Sequence, residues 1–287
     1  MARSPRGQTK EIRLSKITII GAGVHSPDHL TLEADRTMRA SSIIYYLLDS
    51  NPRMTAYLHA LGTKLVDLSS AYTEGAFDQD VYMQIAKIVI DATKSYDRVC
   101  FLVPGHPLIY VTASTLILDE ARRLGIKATA LPGISSLDTM IIQLRLEIGR
   151  YGLQVFECNR FIYFSISPDP RIPLFLLQPG AIGTGFITEK RTNRARRFEI
   201  LKDYLLRHYP PQHRCLLLVS KFDSRLRPVK RAVAIRDIPQ SAKFIDYDTS
   251  MFIPPSADFE IVDLEFYSRL TDLGYSKRLV KSNPRLT

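Results

Sequence analysis

The first half of the chain alternates short apolar runs with segments whose apolar residues recur at helical spacing. Val81, Ile85 and Val89 form one such helical stripe. Asn51 marks the start of an earlier helix, and Gly125 marks the end of a later one. The apolar runs that predict buried strands are Lys16–Ile20, Ile43–Leu48, Leu65–Leu68, Arg98–Val103 and Lys127–Leu131. Alternation of this kind predicts a parallel, doubly wound α/β sheet with right-handed crossovers.

The pattern changes at Pro132-Gly133, where short strands begin to follow one another with brief connections. This half predicts a second domain with a mixed sheet and two long helices. The predicted strands are Gln154–Glu157, Phe161–Ser165, Pro173–Leu177, Cys215–Ser220, Val233–Ile238 and Phe244–Ile253; the helices are Ser135–Ile148 and Thr192–His208. The predicted domains are therefore residues 14–131 and residues 132–255, followed by a C-terminal arm or tail over residues 256–287.

Composition is that of an ordinary globular protein. The chain has 287 residues, of which 45% are hydrophobic, and no apolar stretch long enough to cross a membrane. The start of the chain is basic but has no apolar segment typical of a secretory signal, so we expect a cytoplasmic protein without membrane contact. Cys100, Cys158 and Cys215 are too widely spaced for a metal site, and we expect neither a metal nor a disulfide framework.

Basic charge exceeds acidic charge, with a formal net charge of +10. Two local clusters, Lys190–Arg197 and Lys221–Arg231, carry part of the excess. No helix-turn-helix, zinc-finger or aromatic RNA-binding pattern accompanies them. The clusters are interpreted as a solvated helix start and a charged hairpin, and a nucleic-acid partner is not expected.

Three glycine loops, each between a predicted strand and a predicted helix, indicate a ligand site. They are Gly21-Ala22-Gly23, Pro104-Gly105-His106-Pro107 and Leu131-Pro132-Gly133-Ile134-Ser135. The carboxyl ends of parallel strands meet at one edge of a sheet, so the loops predict one shared crevice for a small molecule.

Two features of these loops leave alternatives open. Gly21 and Gly23 match a dinucleotide-binding motif only in part, because Ser26 stands where the third glycine belongs and the next helix, capped by Asp28, begins late. Both glycines fit either a close approach to a ligand or a tight turn. His106 fits either a catalytic role or a turn histidine bonded to the backbone.

The motifs of the whole chain also stand in a characteristic order. They are Gly21-Ala22-Gly23, Leu30-Thr31-Leu32-Glu33, Gly105-His106-Pro107, Leu131–Ser135, Gln178-Pro179-Gly180 and Phe252-Ile253-Pro254-Pro255. In this order and spacing, from Ile17 to Pro255, the chain resembles the tetrapyrrole methylase superfamily and, within it, the borosin peptide backbone α-N-methyltransferases. The resemblance implies a two-domain tetrapyrrole methylase-like α/β fold, with a parallel doubly wound N-terminal domain and a mixed-sheet C-terminal domain. It also implies S-adenosylmethionine in the cleft between the domains, S-adenosylhomocysteine as product, a homodimer, and a peptide backbone amide as substrate.

The resemblance carries a set of site residues onto this sequence. Those it assigns to the cofactor are Pro104, Gly105, His106, Ile109, Tyr110, Ser135, Ser136, Gln178, Leu218, Ser250 and Met251. Tyr72 and Tyr82 match the family's tyrosine pair and are the candidate catalytic residues. Tyr82 with a depressed pKa would be the base, and Tyr72 would hydrogen-bond the substrate. Asp78 stands where the family usually has an arginine, and its charge would oppose a developing oxyanion.

The family's fused enzymes continue into a long arm that carries their own substrate peptide. The present sequence ends in Ser282–Thr287, which is polar, so it resembles the split type that methylates a separate precursor. Two alternatives remain open: a methyltransferase acting on a tetrapyrrole or RNA, and a cofactor-binding protein without catalytic activity that holds a partner.

Overall fold

The N-terminal domain is built on a five-stranded parallel sheet. The computed structural model describes residues 15–48, 51–188, 194–221, 223 and 225–281. The strands are β1 (Lys16–Gly21), β2 (Ile43–Tyr46), β3 (Lys64–Asp67), β4 (Arg98–Val103) and β5 (Lys127–Leu131), in the order β3-β2-β4-β1-β5. Every neighbouring pair is parallel. All five predicted strands are confirmed, and the predicted ends move by at most two residues.

Four helices cover the two faces of this sheet. They are α1 (Leu32–Arg39), α2 (Pro52–Ala60), α3 (Asp78–Ala92) and α4 (Thr112–Arg123). Helices α3 and α4 pack on one face against Ile17 and Ile19, and α1 and α2 on the other against Ile20. Strand side chains point alternately to the two faces, so a continuous apolar run is what a doubly covered strand requires.

Local capping explains where two of these helices begin. The Asn51 side chain accepts hydrogen bonds from the N–H groups of Arg53 and Met54, as the sequence predicted. The prediction that Asp28 caps the first helix is wrong. Thr31 caps it by accepting from Ala34, while Asp28 pairs with Arg53 at 2.8 Å.

The second domain contains a mixed five-stranded sheet. Its strands are β6 (Gln154–Glu157), β7 (Leu174–Leu177), β8 (Arg214–Val219), β9 (Val229–Ala234) and β10 (Thr249–Ile253), in the order β6-β7-β10-β8-β9. Only β6 and β7 pair in parallel; β7, β10, β8 and β9 pair antiparallel. The predicted mixed sheet is confirmed. The predicted strands at Val233–Ile238 and Phe244–Ile253 begin elsewhere, because 3₁₀ turns occupy Ile235–Asp237 and Pro239–Phe244.

The helices of this domain are α5 (Ser136–Leu144), α6 (Ile148–Tyr151), α7 (Cys158–Tyr163) and α8 (Arg194–Leu205). The predicted strand at Phe161–Ser165 is wrong, because α7 occupies that apolar run. The Glu157 carboxylate starts α7 by accepting from two backbone N–H groups, and Phe161 packs in the core. Residues 192 and 193 of the predicted long helix lie outside the described residues.

The second sheet has a core on each face. Leu217 and Met251 face α7 and α8, and Leu218 and Phe252 face α5 together with the loop that follows β4. The second of these cores therefore joins the two domains. Cys100 and Cys215 are buried thiols, as predicted.

Residues 256–281 leave the second sheet and end in two helices, α9 (Leu264–Thr271) and α10 (Leu273–Lys281). Their apolar side chains remain largely uncovered, among them Leu264, Phe266, Leu270 and Leu273. Within the described residues, no helix combines the length and apolar character that a membrane crossing requires.

Candidate active site

The three glycine loops meet where β4, β1 and β5 end. Gly23 and Gly105 exchange backbone hydrogen bonds of 3.2 and 3.1 Å. A Cβ on Gly133 would lie 2.7 Å from the Gly105 carbonyl oxygen, and one on Gly21 would overlap the same oxygen. The glycines at 21 and 133 are therefore required by packing of backbone on backbone, an explanation that the sequence did not suggest. The predicted meeting of the loops at one edge of the sheet is confirmed.

A cleft of about 1610 Å³ opens beside these loops, between the two domains. Six of the predicted site residues line it: Tyr72, Tyr82, Pro104, Ile109, Tyr110 and Gln178. The sequence did not identify several other lining residues, including Phe77, Leu137, Val155, Glu157, Asn159, Arg160, Phe186 and Asp246. They lie far apart along the chain, and only the docking of the two domains brings them together.

Two lining residues have left-handed backbones. Tyr110 has a φ of 57° and Gln178 a φ of 55°, which side chains larger than glycine rarely adopt. The Tyr110 hydroxyl donates across the domain boundary to the Val155 carbonyl, at 3.4 Å. Strained residues concentrate at functional sites because the surrounding fold must hold them there. Both outliers therefore support a ligand-binding role for the cleft.

Four predicted cofactor residues lie at the edge of the cleft rather than on its surface. Gly105 has a φ of 65°. The His106 Nδ1 atom accepts a hydrogen bond from the Leu108 N–H at 3.2 Å. His106 is therefore a turn histidine bonded to the backbone. The Ser135 hydroxyl and the Asp138 carboxylate form a reciprocal cap on α5, which occupies the hydroxyl. Ser136 follows as the first residue of that helix.

The other three predicted cofactor residues belong to the second sheet. Leu218 and Ser250 are directly paired on β8 and β10. Leu218 packs in the core to which Ile109 also contributes, behind the cleft wall. Met251 has its side chain in the opposite core, away from the domain boundary.

A short backbone strap crosses from one domain to the other beside the tyrosines. Three hydrogen bonds of 2.8–2.9 Å join segments 75–78 and 185–187, and one of them holds the N–H of Asp78. The rings of Phe77 and Phe186 lie 5.5 Å apart on this strap. The strap fixes the start of α3, which carries Asp78 and Tyr82, against the second domain.

Tyr72 and Tyr82 form the wall next to the strap. Their ring centroids lie 6.4 Å apart at 64°, and within the described part of the chain neither hydroxyl is in a hydrogen bond. Burial raises the pKa of both hydroxyls. The pKa of Tyr72 is raised further by Tyr82 and then by Asp78. The pKa of Tyr82 is raised further by Asp78 and then by Glu157. The depressed pKa that would make Tyr82 a base is thus not what its surroundings favour, and hydroxyls with raised pKa stay protonated at neutral pH and can donate.

The charge of the cleft is opposite to that of the whole chain. Among its described lining residues, Asp78, Glu157 and Asp246 are acidic, and Arg160 is the only Lys or Arg. Burial and then the charge of Glu157 raise the pKa of Asp78. A cleft lined mainly by one sign of charge attracts the opposite sign, so this one favours a cationic ligand.

Comparison with known families identifies the fold. A family model of tetrapyrrole (corrin/porphyrin) methylases matches residues 16–221. The chain belongs to this family. The two sheets and the cleft between them are thus the tetrapyrrole methylase arrangement that the sequence motifs predicted.

The chain is also similar to fungal proteins that carry a borosin methyltransferase. It is 28% identical over 272 residues to a methyltransferase/type I borosin cyclic peptide precursor of Serendipita vermifera subsp. bescii, covering 93% of this chain and 65% of that protein. It is 26% identical over 255 residues to the methyltransferase/omphalotin A precursor of Omphalotus olearius, covering 86% and 59%. The chain therefore spans less than two thirds of the length of these relatives.

Solved structures share the fold at lower identity. Uroporphyrin-III-C-methyltransferase from Thermus thermophilus superposes with a TM-score of 0.58 at 19% identity, covering 84% of this chain and 94% of that chain. A crystal structure of diphthine synthase gives a TM-score of 0.55 at 17% identity, covering 85% and 92%. Another structure of the Thermus enzyme, in complex with S-adenosylhomocysteine, gives 0.56 at 17% identity, covering 84% and 97%.

The cleft has the features that S-adenosylmethionine requires. Its sulfonium is a cation, which suits the excess of carboxylates, and its adenine is a flat apolar ring, which suits Ile109, Leu137 and Val155. The described residues include no group of three or more His, Cys, Asp or Glu side chains placed to hold a metal ion. The carboxylates and the apolar side chains of the cleft fit the organic cofactor.

The basic cluster at Lys190–Arg197 is partly used inside the protein. Arg197 donates to the carbonyl oxygens of Gly180 and Ile182, at 3.1 and 2.5 Å. These bonds fasten α8 to the turn after β7. At least this member of the cluster therefore acts within the fold.

Proposed function

We propose that the protein transfers the methyl group of S-adenosylmethionine to backbone amide nitrogens of a peptide, supplied to the cleft as a separate molecule. The observation that carries the proposal is the cleft itself. Its volume of about 1610 Å³ exceeds the roughly 300–1,000 Å³ of a pocket for one small ligand, so it has room for a cofactor and a second substrate. The similarity to borosin methyltransferase precursors supports a peptide as that substrate.

In this proposal the loop after β4 and the turn after β7 hold the cofactor. Pro104, Ile109, Tyr110 and Gln178 contact it from the cleft surface. Gly105 gives the loop its left-handed turn. Of the remaining assigned residues, His106, Ser135 and Ser136 act from the edge of the cleft. Leu218 and Ser250 act from behind its wall, and Met251 acts through its backbone.

The bound cofactor would supply an electrophilic methyl group on a positively charged sulfur. An amide nitrogen is a poor acceptor for it because its lone pair is delocalised into the carbonyl. Tyr72 and Tyr82 keep their protons, so they donate hydrogen bonds to the amide oxygen as negative charge develops there. The strap at 75–78 holds this wall in place against the second domain, which fixes the position of both hydroxyls.

The proposal includes a homodimer, which the family resemblance implies. The uncovered apolar side chains of α9 and α10 support a second copy as the partner that buries them. Light scattering of the purified protein tests this part. A monomer at micromolar concentration would contradict it without affecting the assignment of the reaction.

The function is tested in two steps. Titration calorimetry with S-adenosylhomocysteine comes first, and one site per chain is expected. The protein is then incubated with S-adenosylmethionine and a library of unrelated synthetic peptides, and fragmentation mass spectrometry is used to find an added methyl on a backbone nitrogen. Binding without peptide methylation, together with absorbance changes on mixing with a tetrapyrrole, would favour the tetrapyrrole alternative. Absence of binding would contradict methyl transfer altogether.

A further inference from the structure

The proposed reaction needs a group that removes the amide proton, and the tyrosines cannot serve while their hydroxyls stay protonated. We propose that Asp78 is this group: its carboxylate accepts the proton of the substrate amide. The inference rests on the proposed function. It concerns the first residue of α3, which lines the cleft.

The geometry supports this role. Asp78 is the first residue of α3 and Tyr82 lies four residues later, so both side chains project from the same helix face into the cleft. The strap anchors the Asp78 backbone through its N–H bond to the Gly185 carbonyl, at 2.9 Å. Within the described residues, no hydrogen bond or ion pair engages the Asp78 carboxylate. It is therefore held in position and available to a substrate.

The other lining groups are less suited to the task. Glu157 already accepts from the N–H groups of Asn159 and Arg160, at 2.9 and 2.8 Å, as the cap of α7. No described histidine lines the cleft, and Arg160 cannot accept a proton. Asp246 has a partner elsewhere in the structure.

The carboxylate of Asp78 does not oppose the developing oxyanion, because it becomes neutral when it accepts the proton. As the nitrogen–methyl bond forms, the carbon–sulfur bond breaks and its electron pair stays on sulfur, which becomes a neutral thioether. The amide proton passes to Asp78 ahead of the new bond, and the negative charge left on the amide is shared between its nitrogen, which takes the methyl group, and its oxygen. The carboxylate is neutralised just as charge develops on the amide oxygen, where Tyr72 and Tyr82 donate. Burial and then repulsion from Glu157 raise the pKa of Asp78 and so favour its protonated form.

The test compares Asp78→Asn with Asp78→Glu and with the control Asp80→Asn. Asp80 lies in the same first turn of α3 but is exposed and does not line the cleft. We expect Asp78→Asn to lower kcat for peptide methylation by roughly 100-fold or more, the usual contribution of a general base. Its peptide KM and its calorimetric affinity for S-adenosylhomocysteine should change less than about threefold, within the scatter of a surface substitution. Asp78→Glu should recover part of kcat, and Asp80→Asn should match the wild type.

The pH profile separates a proton acceptor from a merely structural residue. In the wild type kcat should fall as the pH drops through the pKa of Asp78, which burial and Glu157 hold above its ordinary value. Tyr72, Tyr82, Arg160 and Asp246 are the other titratable groups of this part of the cleft, and the tyrosines stay neutral over that range. Asp78→Asn should lack this acid limb.

Three results would overturn the inference. Unchanged kcat in Asp78→Asn would do so, as would an acid limb that persists in that variant, or Asp78→Arg being more active than the wild type. Each leaves the proposed function standing. A wild type that binds S-adenosylhomocysteine but methylates no peptide would instead refute the proposed function, and the inference with it.

Discussion

Tyr72 and Tyr82 meet edge to face on one wall of the cleft, although they come from a loop and from a helix. Their ring centroids are 6.4 Å apart and their planes are inclined by 64°. Burial raises the pKa of both, so each hydroxyl remains a hydrogen-bond donor at neutral pH. The pair is therefore suited to stabilise a developing negative charge.

Replacement of Tyr82 by Phe tests this donor role. Tyr82→Phe keeps the ring and removes the hydroxyl, so we expect kcat for peptide methylation to fall about 100-fold, the usual loss for one donor to an oxyanion. Affinity for S-adenosylhomocysteine, measured by calorimetry, should stay the same. Tyr163→Phe is the matched control, because Tyr163 also lines the cleft but belongs to the opposite domain. Equal losses in both variants would contradict a specific donor role.

The packing of the glycine loops predicts that one added methyl group at Gly21 lowers the free energy of unfolding. Gly21→Ala would press a Cβ into the Gly105 carbonyl oxygen and close to the ring of Pro107. Overpacking of this kind costs about 1–3 kcal/mol in the free energy of unfolding, measurable by urea denaturation.

Gly62→Ala provides the reference for that measurement. Its new methyl meets no atom within 4 Å, but its φ of 67° costs a side chain about 1–2 kcal/mol. This variant isolates backbone strain from overlap. The packing explanation fails if the crystal structure of Gly21→Ala shows no displacement of the loops at 21–23 and 105.

Gln178 is predicted to lower the free energy of unfolding and to raise the affinity for the ligand. Gln178→Gly relieves a left-handed backbone at φ 55° and should raise the free energy of unfolding by about 1 kcal/mol. It also removes a side chain from the cleft, so the affinity for S-adenosylhomocysteine should fall about fivefold, the value of one hydrogen bond. Arg145→Gly is the control: its φ is 53°, but it ends α5 outside the cleft lining. That variant should gain stability and keep its affinity.

Tyr209 is predicted to weaken the core that faces α7 and α8. Its hydroxyl is buried without a hydrogen-bond partner in the described structure, and its ring stacks on His213. Tyr209→Phe should therefore raise the free energy of unfolding by about 1 kcal/mol. Tyr204→Phe should lower it by a similar amount, because the Tyr204 hydroxyl donates to the Ile166 carbonyl at 2.9 Å. A loss of stability in both variants would indicate that Tyr209 has a partner.

The same residue predicts a dependence on alkaline pH. Burial, and then the charge of Asp169, raises the pKa of Tyr209 to about 12. The folded chain thus binds this proton more tightly than the unfolded chain, in which the pKa is about 10. The free energy of unfolding should fall as the pH rises from about 10 through about 12, and the fall should be smaller in Tyr209→Phe. Urea denaturation of both proteins across this range measures the difference.

Features that depend on neighbouring residues alone were predictable. Strand β4 was predicted with its correct ends, and Asn51 was identified as a helix cap, because a continuous apolar run and a side-chain cap act over a few residues. The error at Phe161–Ser165 has a local cause as well. An apolar run of this length fits a strand or a buried helix, and the Glu157 cap decided for the helix.

The candidate site was predictable only in part. Motif order identified the family, the loops and the tyrosine pair, because these positions follow one another along the chain. The strap between 75–78 and 185–187 could not be predicted, because its halves are about a hundred residues apart and pair only when the domains dock.

The sequence by itself therefore determined the two sheets, the family and six of the residues that line the cleft, since apolar periodicity and turn chemistry depend on residues close together along the chain. Tertiary structure decided how those residues behave. Packing against the core of the N-terminal domain partly buried Tyr72 and Tyr82 and raised their pKa, and docking of the domains brought Asp78 within the field of Glu157. The physical reason is that burial and charge interactions depend on distance in space, which the order of residues along the chain does not specify.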